Sequence, residues 1–196
     1  MWLDAAKQQY GENLQIQWRG FLLEQANNKQ GPDWKLWEQP ADYPFRSLPA
    51  LRAAEAARLH SPEAFDRFHL ALLKARHEER KNITDQSVLS DIARSTGLDP
   101  AQIHRDAAGE DLLKKIVSDH TEAVEKFGVF GTPTFVFPNG SAAFLKLLKP
   151  PEEDASSLLD LLSDVMENRS YVGEIKRPQP PWPSNCLLYT SPSPRD

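Results

Sequence analysis

The chain has 196 residues, of which 40% are hydrophobic and 26% are charged, a composition typical of a globular protein with one buried core. Its formal net charge of −5 argues against nucleic acid or an anionic membrane as the main partner, because both require a basic surface. The single cysteine, Cys186, excludes an internal disulfide and a cysteine-rich zinc site.

The first quarter of the chain predicts a helix, a strand and a loop. Apolar residues recur at helical spacing at Trp2, Leu3, Ala6 and Tyr10. Gly11 follows them as a helix stop. From Leu14 to Leu22 apolar and polar residues alternate, which predicts a half-exposed strand. Residues 24–47 lose this periodicity, and we predict a long loop anchored by Trp34 and Trp37.

Helices dominate the middle of the chain. We predict a helix from Pro49 to Arg58, and a second one that Ser61 caps and that reaches about Arg80. A third helix begins at a cap formed by Thr84 or Asp85 and closes at Gly97. A short helix then starts at Asp99 and Pro100. A long amphipathic helix extends from Glu110 to Phe127 and ends at Gly128.

A β-hairpin and a last helix complete the predicted fold. The strands are Thr134 to Phe137, with Pro133 at the first position, and Ala142 to Leu148, and the turn is Pro138-Asn139-Gly140. The last helix begins at Pro150 and Pro151. Its inward-facing residues are predicted to be Leu158, Leu161, Leu162 and Val165.

The end of the chain is rich in proline. Residues 178–196 are therefore expected to be extended and unstructured. Their last stretch, "CLLYTSPSPRD", resembles translated non-native sequence, so we exclude it and Cys186 from the fold.

Three segments resemble the DsbA-like thioredoxin-fold family, which also contains 2-hydroxychromene-2-carboxylate isomerases. They are "WRGFLLEQANN" (18–28), "GVFGTPTFVFPNG" (128–140) and "EIKRPQPPWP" (174–183). The resemblance implies an α/β fold with a large α-helical insertion. Residues 1–46 and 109–177 would form the thioredoxin-like domain, and residues 47–108 the insertion.

The resemblance also implies a substrate-binding site around a cis-proline. In the family, the residue before this proline turns its backbone N–H and C=O toward the active site, where a thiol substrate pairs as if adding a strand. Thr132 would then supply backbone groups, Pro133 would shape the site, and Gly131 would adjoin them. Trp34 and Asn28 would line a substrate cleft by the same analogy; alternatively, Trp34 only holds its loop against the core.

The chain departs from the family at its start. DsbA-like proteins open with a strand, then a Cys-x-x-C, a single Cys or a Ser at the start of the first helix, where the helix dipole lowers the pKa of a thiol. Met1 and Trp2 fall where the interior of that helix should be. We therefore expect the N-terminal strand and the catalytic motif to be missing, and assign no catalytic residue.

The histidines allow simpler interpretations than catalysis. His69 and His77 lie eight residues apart, two helical turns, so they cannot form the one-turn pair of a zinc helix. We expect surface or structural roles for both and no metal site. His120 lies on the apolar stripe of the long helix, and we predict a half-buried core histidine rather than an acid or base.

The function implied by the resemblance is a DsbA-like oxidoreductase acting on thiols, disulfides or small-thiol conjugates. Two alternatives remain: a glutathione-dependent isomerase, and a non-catalytic protein that binds peptides in the thioredoxin-fold groove. Glutathione or another small thiol would be the cofactor or partner, and a homodimer is compatible with the sequence. No apolar run approaches the roughly 20 residues of a membrane span, and the first residues lack a signal-peptide pattern, so we expect a cytoplasmic protein.

Overall fold

Alanine dominates the central helix of the protein. In the computed structural model, which describes residues 2–148 and 150–175, this helix, α3, spans Leu48–His60. It contacts α4 (Pro62–His77), α6 (Pro100–Ala107) and α7 (Glu110–Phe127). The buried alanines of α3 are Ala50, Ala53, Ala54, Ala56 and Ala57. Because alanine adds no bulk beyond Cβ, α3 can be covered on several sides by larger side chains such as the fully buried Phe68.

The helices of this region begin where the sequence predicts them. The Ser61 hydroxyl accepts a hydrogen bond from the Ala64 N–H at 3.1 Å. The Asp85 carboxylate accepts one from the Ser87 N–H at 2.8 Å, at the start of α5 (Gln86–Ser95). Such side chains satisfy N–H groups that have no partner within the helix. Both predicted caps are confirmed, with Asp85 rather than Thr84 serving α5.

The helix ends are only partly as predicted. Gly128 takes the left-handed conformation, φ +63°, and closes α7 as expected. However, α4 ends at His77 instead of near Arg80. Arg80 adopts φ +60°, and the Lys81 N–H donates to the Ala75 carbonyl at 2.9 Å. The chain thus leaves the helix through a left-handed residue, but without the glycine that normally signals such an end in a sequence.

The loop after residue 22 contains two short helices. They are α2 (Leu23–Ala26) and a single 3₁₀ turn at Leu36–Glu38. A core cluster holds the loop against α7, with four buried members, Leu22, Leu36, Leu48 and Ile116. Trp34 and Trp37 pack on this cluster, which confirms the prediction of a loop anchored by these two side chains.

The strand predicted from Leu14 to Leu22 is wrong, since none of its residues is in a strand. A strand needs a neighbour to complete its hydrogen bonds, and the only ladder among the described residues joins β1 and β2. Main-chain groups here pair with side chains instead: Leu22 N–H with His120, and Trp18 C=O with Arg58. The predicted alternation nevertheless survives in the burial of residues 14–19.

Contacts divide the chain into two compact units. The first comprises the described residues up to Ile16 and from Thr132 onward, and the second comprises residues 17–131. Residues 17–46 and 109–131 thus cluster with the predicted helical insertion. The predicted bounds, 1–46 with 109–177 and 47–108, stay a prediction.

The first unit contains α1 (Trp2–Tyr10), the hairpin of β1 (Thr134–Val136) and β2 (Ala142–Phe144), and α8 (Ala155–Asn168). The hairpin is antiparallel, with Phe135 opposite Ala143. Both strands are shorter than predicted. The 3₁₀ turn Glu152–Asp154 occupies the predicted first turn of the last helix, so α8 begins later, at Ala155.

The buried face of α8 also differs from the prediction. Ala155 and Leu159 pack with Ala6 of α1 in a small core, whereas Leu161 is 63% exposed. Leu158, Leu162 and Val165 are half-buried. The small side chains of Ala6 and Ala155 let the two helices meet on this face.

One prediction concerns residues outside the described ranges. The predicted tail, residues 178–196 with Cys186, lies outside them. Within residues 2–148 and 150–175, no helix is long and apolar enough to cross a membrane.

Candidate functional site

The peptide bond between Thr132 and Pro133 is cis, as the family resemblance implied. Pro133 lies directly before β1, and its carbonyl accepts a hydrogen bond from the Leu145 N–H at 3.0 Å. The pairing of the hairpin therefore extends one step beyond β1 even though proline has no N–H to donate. Both residues are half-buried, and Gly131 before them is buried.

The hairpin that carries Pro133 is fixed at its other end by a tight turn. The Phe137 N–H donates to the Ser141 carbonyl at 2.9 Å, and the Asn139 side chain accepts from the Ser141 N–H at 2.9 Å. Gly140 has φ +87°, a conformation that glycine adopts without steric cost. Trp2 of α1 packs on Phe135, with ring centroids 6.4 Å apart. These contacts hold β1, and with it the start of the hairpin at Pro133.

Trp34 and Asn28 lie together in the loop after α2, where Gln25 organises both. The Gln25 amide donates to the Trp34 carbonyl at 3.0 Å and accepts from the Leu36 N–H at 2.7 Å. The Asn28 amide donates to the Gln25 carbonyl at 2.9 Å and accepts from the Gln30 N–H at 3.0 Å. These bonds occupy the Asn28 side chain within its own turn.

The five residues predicted to bind substrate are divided between the two units. Thr132 and Pro133 belong to the first unit; Gly131, Trp34 and Asn28 belong to the second. The ring of Trp34 lies 6.1 Å from that of Tyr43 and packs on the Leu22 cluster, which favours the anchoring role considered for it. Substrate contact by any of the five residues stays a prediction.

His120 connects this loop to α7. It is 5% exposed, and its Nδ1 accepts a hydrogen bond from the Leu22 N–H at 3.3 Å. Its ring lies 4.8 Å from Phe21 and 6.3 Å from Trp37. Burial, and secondarily the charge of Lys35, lower the pKa of His120, so it is a neutral acceptor at pH 7. The prediction of a core histidine is confirmed, although the side chain is buried rather than half-buried.

His69 is half-buried, and its surroundings are aromatic. Its ring stacks on Phe65 at 5.2 Å and meets Trp18 at 4.7 Å, and its Nε2 is buried without a hydrogen-bond partner. Arg58 lies over the Phe65 ring, 3.4 Å from its centroid. Burial lowers the pKa of His69 to about 4, and the charge of Arg58 acts in the same direction. His69 is thus a neutral packing residue.

A groove of about 640 Å³, the α7 groove, is a concave feature that the sequence did not predict. Its residues are Trp37, Leu113, Lys114, Val117, Ser118, Thr121, Glu122, Glu125 and Lys126, and all belong to the second unit. Local patterns could not reveal it, because Trp37 reaches α7 only when its loop folds. Among the described residues, no group of three or more His, Cys, Asp or Glu side chains could hold a metal ion.

Comparison with known proteins identifies related sequences. A family model described as "DSBA-like thioredoxin domain" matches residues 1–148. The ClpXP adapter protein SpxH of Bacillus subtilis (strain 168) is 29% identical over 122 residues, 62% of this chain and 40% of that protein. SpxH of Shouchella clausii (strain KSM-K16) is 27% identical over 124 residues, 63% of this chain and 40% of that protein. The chain thus spans about two fifths of the curated relatives it matches.

Proposed function

We propose that this chain, which belongs to the family of DSBA-like thioredoxin domains, binds protein partners as an adapter and does not exchange disulfides itself. The observation that carries this proposal is a sequence fact. Residues 1–148, which match the family, contain no cysteine, and the single cysteine is Cys186. Thiol–disulfide exchange requires a thiolate that attacks a sulfur atom, and the matched residues cannot supply one.

Two related proteins support a protein-binding role. Both are named as ClpXP adapter proteins, and each matches more than 60% of this chain. We propose by analogy that this chain contributes to the recognition of proteins that are delivered to the ClpXP protease. This adapter role corresponds to the non-catalytic, peptide-binding alternative of the sequence analysis. Oxidoreductase and isomerase activity, a small-thiol partner, a homodimer and a cytoplasmic location stay predictions.

An insulin-reduction assay tests the non-catalytic half of the proposal. The 196-residue chain and its Cys186→Ser variant are each added to insulin and dithiothreitol, with thioredoxin as the positive control. We expect both proteins to leave the rate at the level of dithiothreitol alone. Acceleration by either protein would show that the domain catalyses exchange, and the comparison would say whether Cys186 is responsible.

Pulse-chase proteomics tests the adapter half. The chain is expressed in a bacterial host with and without ClpP, and protein half-lives are compared with those in cells carrying an empty vector. We expect a set of proteins whose half-lives shorten only when the chain and ClpP are both present. If no protein behaves in this way, the adapter role is wrong.

A further inference from the structure

The α7 groove has an apolar stripe along its floor. Leu113, Val117 and Thr121 follow one another at intervals of four residues, so they lie on one face of α7. From Leu113 to Glu125 the helix extends about 18 Å, at a rise of about 1.5 Å per residue. The groove is therefore long enough for about three turns of a second helix, and its volume of about 640 Å³ is within the usual range for binding sites.

Trp37 forms a wall of the groove and is held in place from behind. Its ring meets the buried His120 at 6.3 Å, edge to face, and the Lys35 ammonium lies 5.9 Å from the ring centroid. The turn that carries Trp37 is fixed by the bond from the Leu36 N–H to Gln25 and by one from the Gln39 side chain to the Lys35 carbonyl, both 2.7 Å. A half-buried tryptophan that is already ordered is the type of residue that dominates binding energy at protein interfaces.

The charges around the groove are mostly paired within the protein. Glu122 pairs with Arg19 and with Lys126, and Lys114 pairs with Asp111 at 3.4 Å. Glu125 is exposed and makes none of the ion pairs found among the described residues. Glu125 therefore gives the rim of the groove a negative charge that a positively charged group of a ligand can pair with.

We propose that the α7 groove binds an amphipathic helix of a partner protein, with bulky apolar side chains against Trp37 and Val117 and a Lys or Arg beside Glu125. This inference rests on the proposed function, since it names the surface and the chemistry by which the adapter recognises its partner. The helix-in-groove arrangement requires apolar residues on the partner at helical spacing, about three or four residues apart.

Fluorescence anisotropy with two stapled helical peptides tests the groove. Each labelled peptide has about 14 residues with leucines at helical spacing, and the two differ only in flanking lysines or glutamates. We expect saturable binding of the lysine peptide to the full chain. Val117→Arg should weaken it about tenfold or more, because a charged side chain then occupies the apolar floor.

Charge exchange at the rim provides the matched comparison. Glu125→Lys should weaken the lysine peptide by up to about fivefold and strengthen the glutamate peptide, as expected for one exposed ion pair. Asp91→Lys makes the same change of charge on α5, where Asp91 is exposed, and should leave both affinities as in the wild type. Absence of saturable binding, or equal effects of Glu125→Lys and Asp91→Lys, would overturn the proposal.

The pulse-chase experiment separates failure of the groove from failure of the adapter role. If the wild-type chain shortens ClpP-dependent half-lives and Val117→Arg does so equally, the adapter role stands and the groove assignment is wrong. If the wild-type chain shortens none, the adapter role is wrong, and the inference that rests on it falls as well.

Discussion

Protonation of His69 should make the stability of the second unit depend strongly on pH. The imidazole contacts the rings of Phe65 and Trp18. Its Nε2 is buried without a hydrogen-bond partner, so an N–H formed there by protonation would have no acceptor. Burial, the nearby positive charge of Arg58 and, in the opposite direction, Asp66 together lower its pKa from 6.5 to about 4. In the unfolded chain the same side chain titrates near its ordinary value.

The sign of the effect follows from proton uptake. Between about pH 6.5 and pH 4, the unfolded state holds a proton on His69 that the folded state does not, so stability falls as the pH falls. The stability that depends on a neutral His69 is fully present above about pH 6.5 and fully lost below about pH 4. Each unit of pH difference corresponds to about 1.4 kcal/mol, so the total loss is about 3 kcal/mol.

Urea unfolding followed by tryptophan fluorescence, from pH 7 to pH 4.5, measures this dependence. His69→Leu should reduce the slope of the unfolding free energy by as much as about 1.4 kcal/mol per pH unit. His77 and His120 also have pKa values lowered by burial, so the informative quantity is the difference between variant and wild type. Leu89→Ala, at a buried site that does not titrate, should lower stability at every pH without changing the slope. A His69→Leu slope equal to that of the wild type would refute the reasoning.

Substitutions at Ile116, Ser61 and Gly128, each with a control, test the packing and the helix ends by urea unfolding. Ile116→Ala should cost about 2–5 kcal/mol, because Ile116 is fully buried beside Leu22 and Leu36; Ile116→Val should cost about 0.5–1.5 kcal/mol, and equal losses would contradict the packing. Ser61→Ala should cost about 1 kcal/mol through the lost bond to the Ala64 N–H, whereas Ser61→Asp should retain most of the stability. Gly128→Ala should cost about 1–2 kcal/mol, because φ is +63° there, and a similar loss for Gly173→Ala, which has open space around it, would count against this cause.

The helices between residues 48 and 127 could be predicted closely because the residues that set their boundaries are close to those boundaries in the sequence. Ser61, Asp85 and Gly128 act on N–H or C=O groups within a few residues of themselves. The exception, the end of α4, is closed by Arg80 in a conformation for which its residue type gives no signal.

Features that depend on distant partners could not be predicted in the same way. The alternation from Leu14 to Leu22 correctly indicates which side chains are sheltered, but a strand also requires a neighbouring strand. In α8 two apolar faces overlap, and the choice between Leu159 and Leu161 depends on Ala6, more than 140 residues earlier in the chain.

The candidate site shows the same division. The resemblance singled out Thr132 and Pro133 from a motif of consecutive residues. The role of Gln25 and the wall formed by Trp37 could not be predicted, because both depend on how a loop without periodicity folds back on α7.

The alanine-lined surfaces of α3 restrict how this protein can diverge. Ala53 and Ala57 are buried on a helix that touches three others, so a bulkier side chain at either position would need space from a neighbouring element. Relatives that enlarge one of these positions should therefore carry a compensating reduction in volume on α4, α6 or α7. Covariation of side-chain size around this helix, rather than invariance of the alanines themselves, is the evolutionary signature that the packing implies.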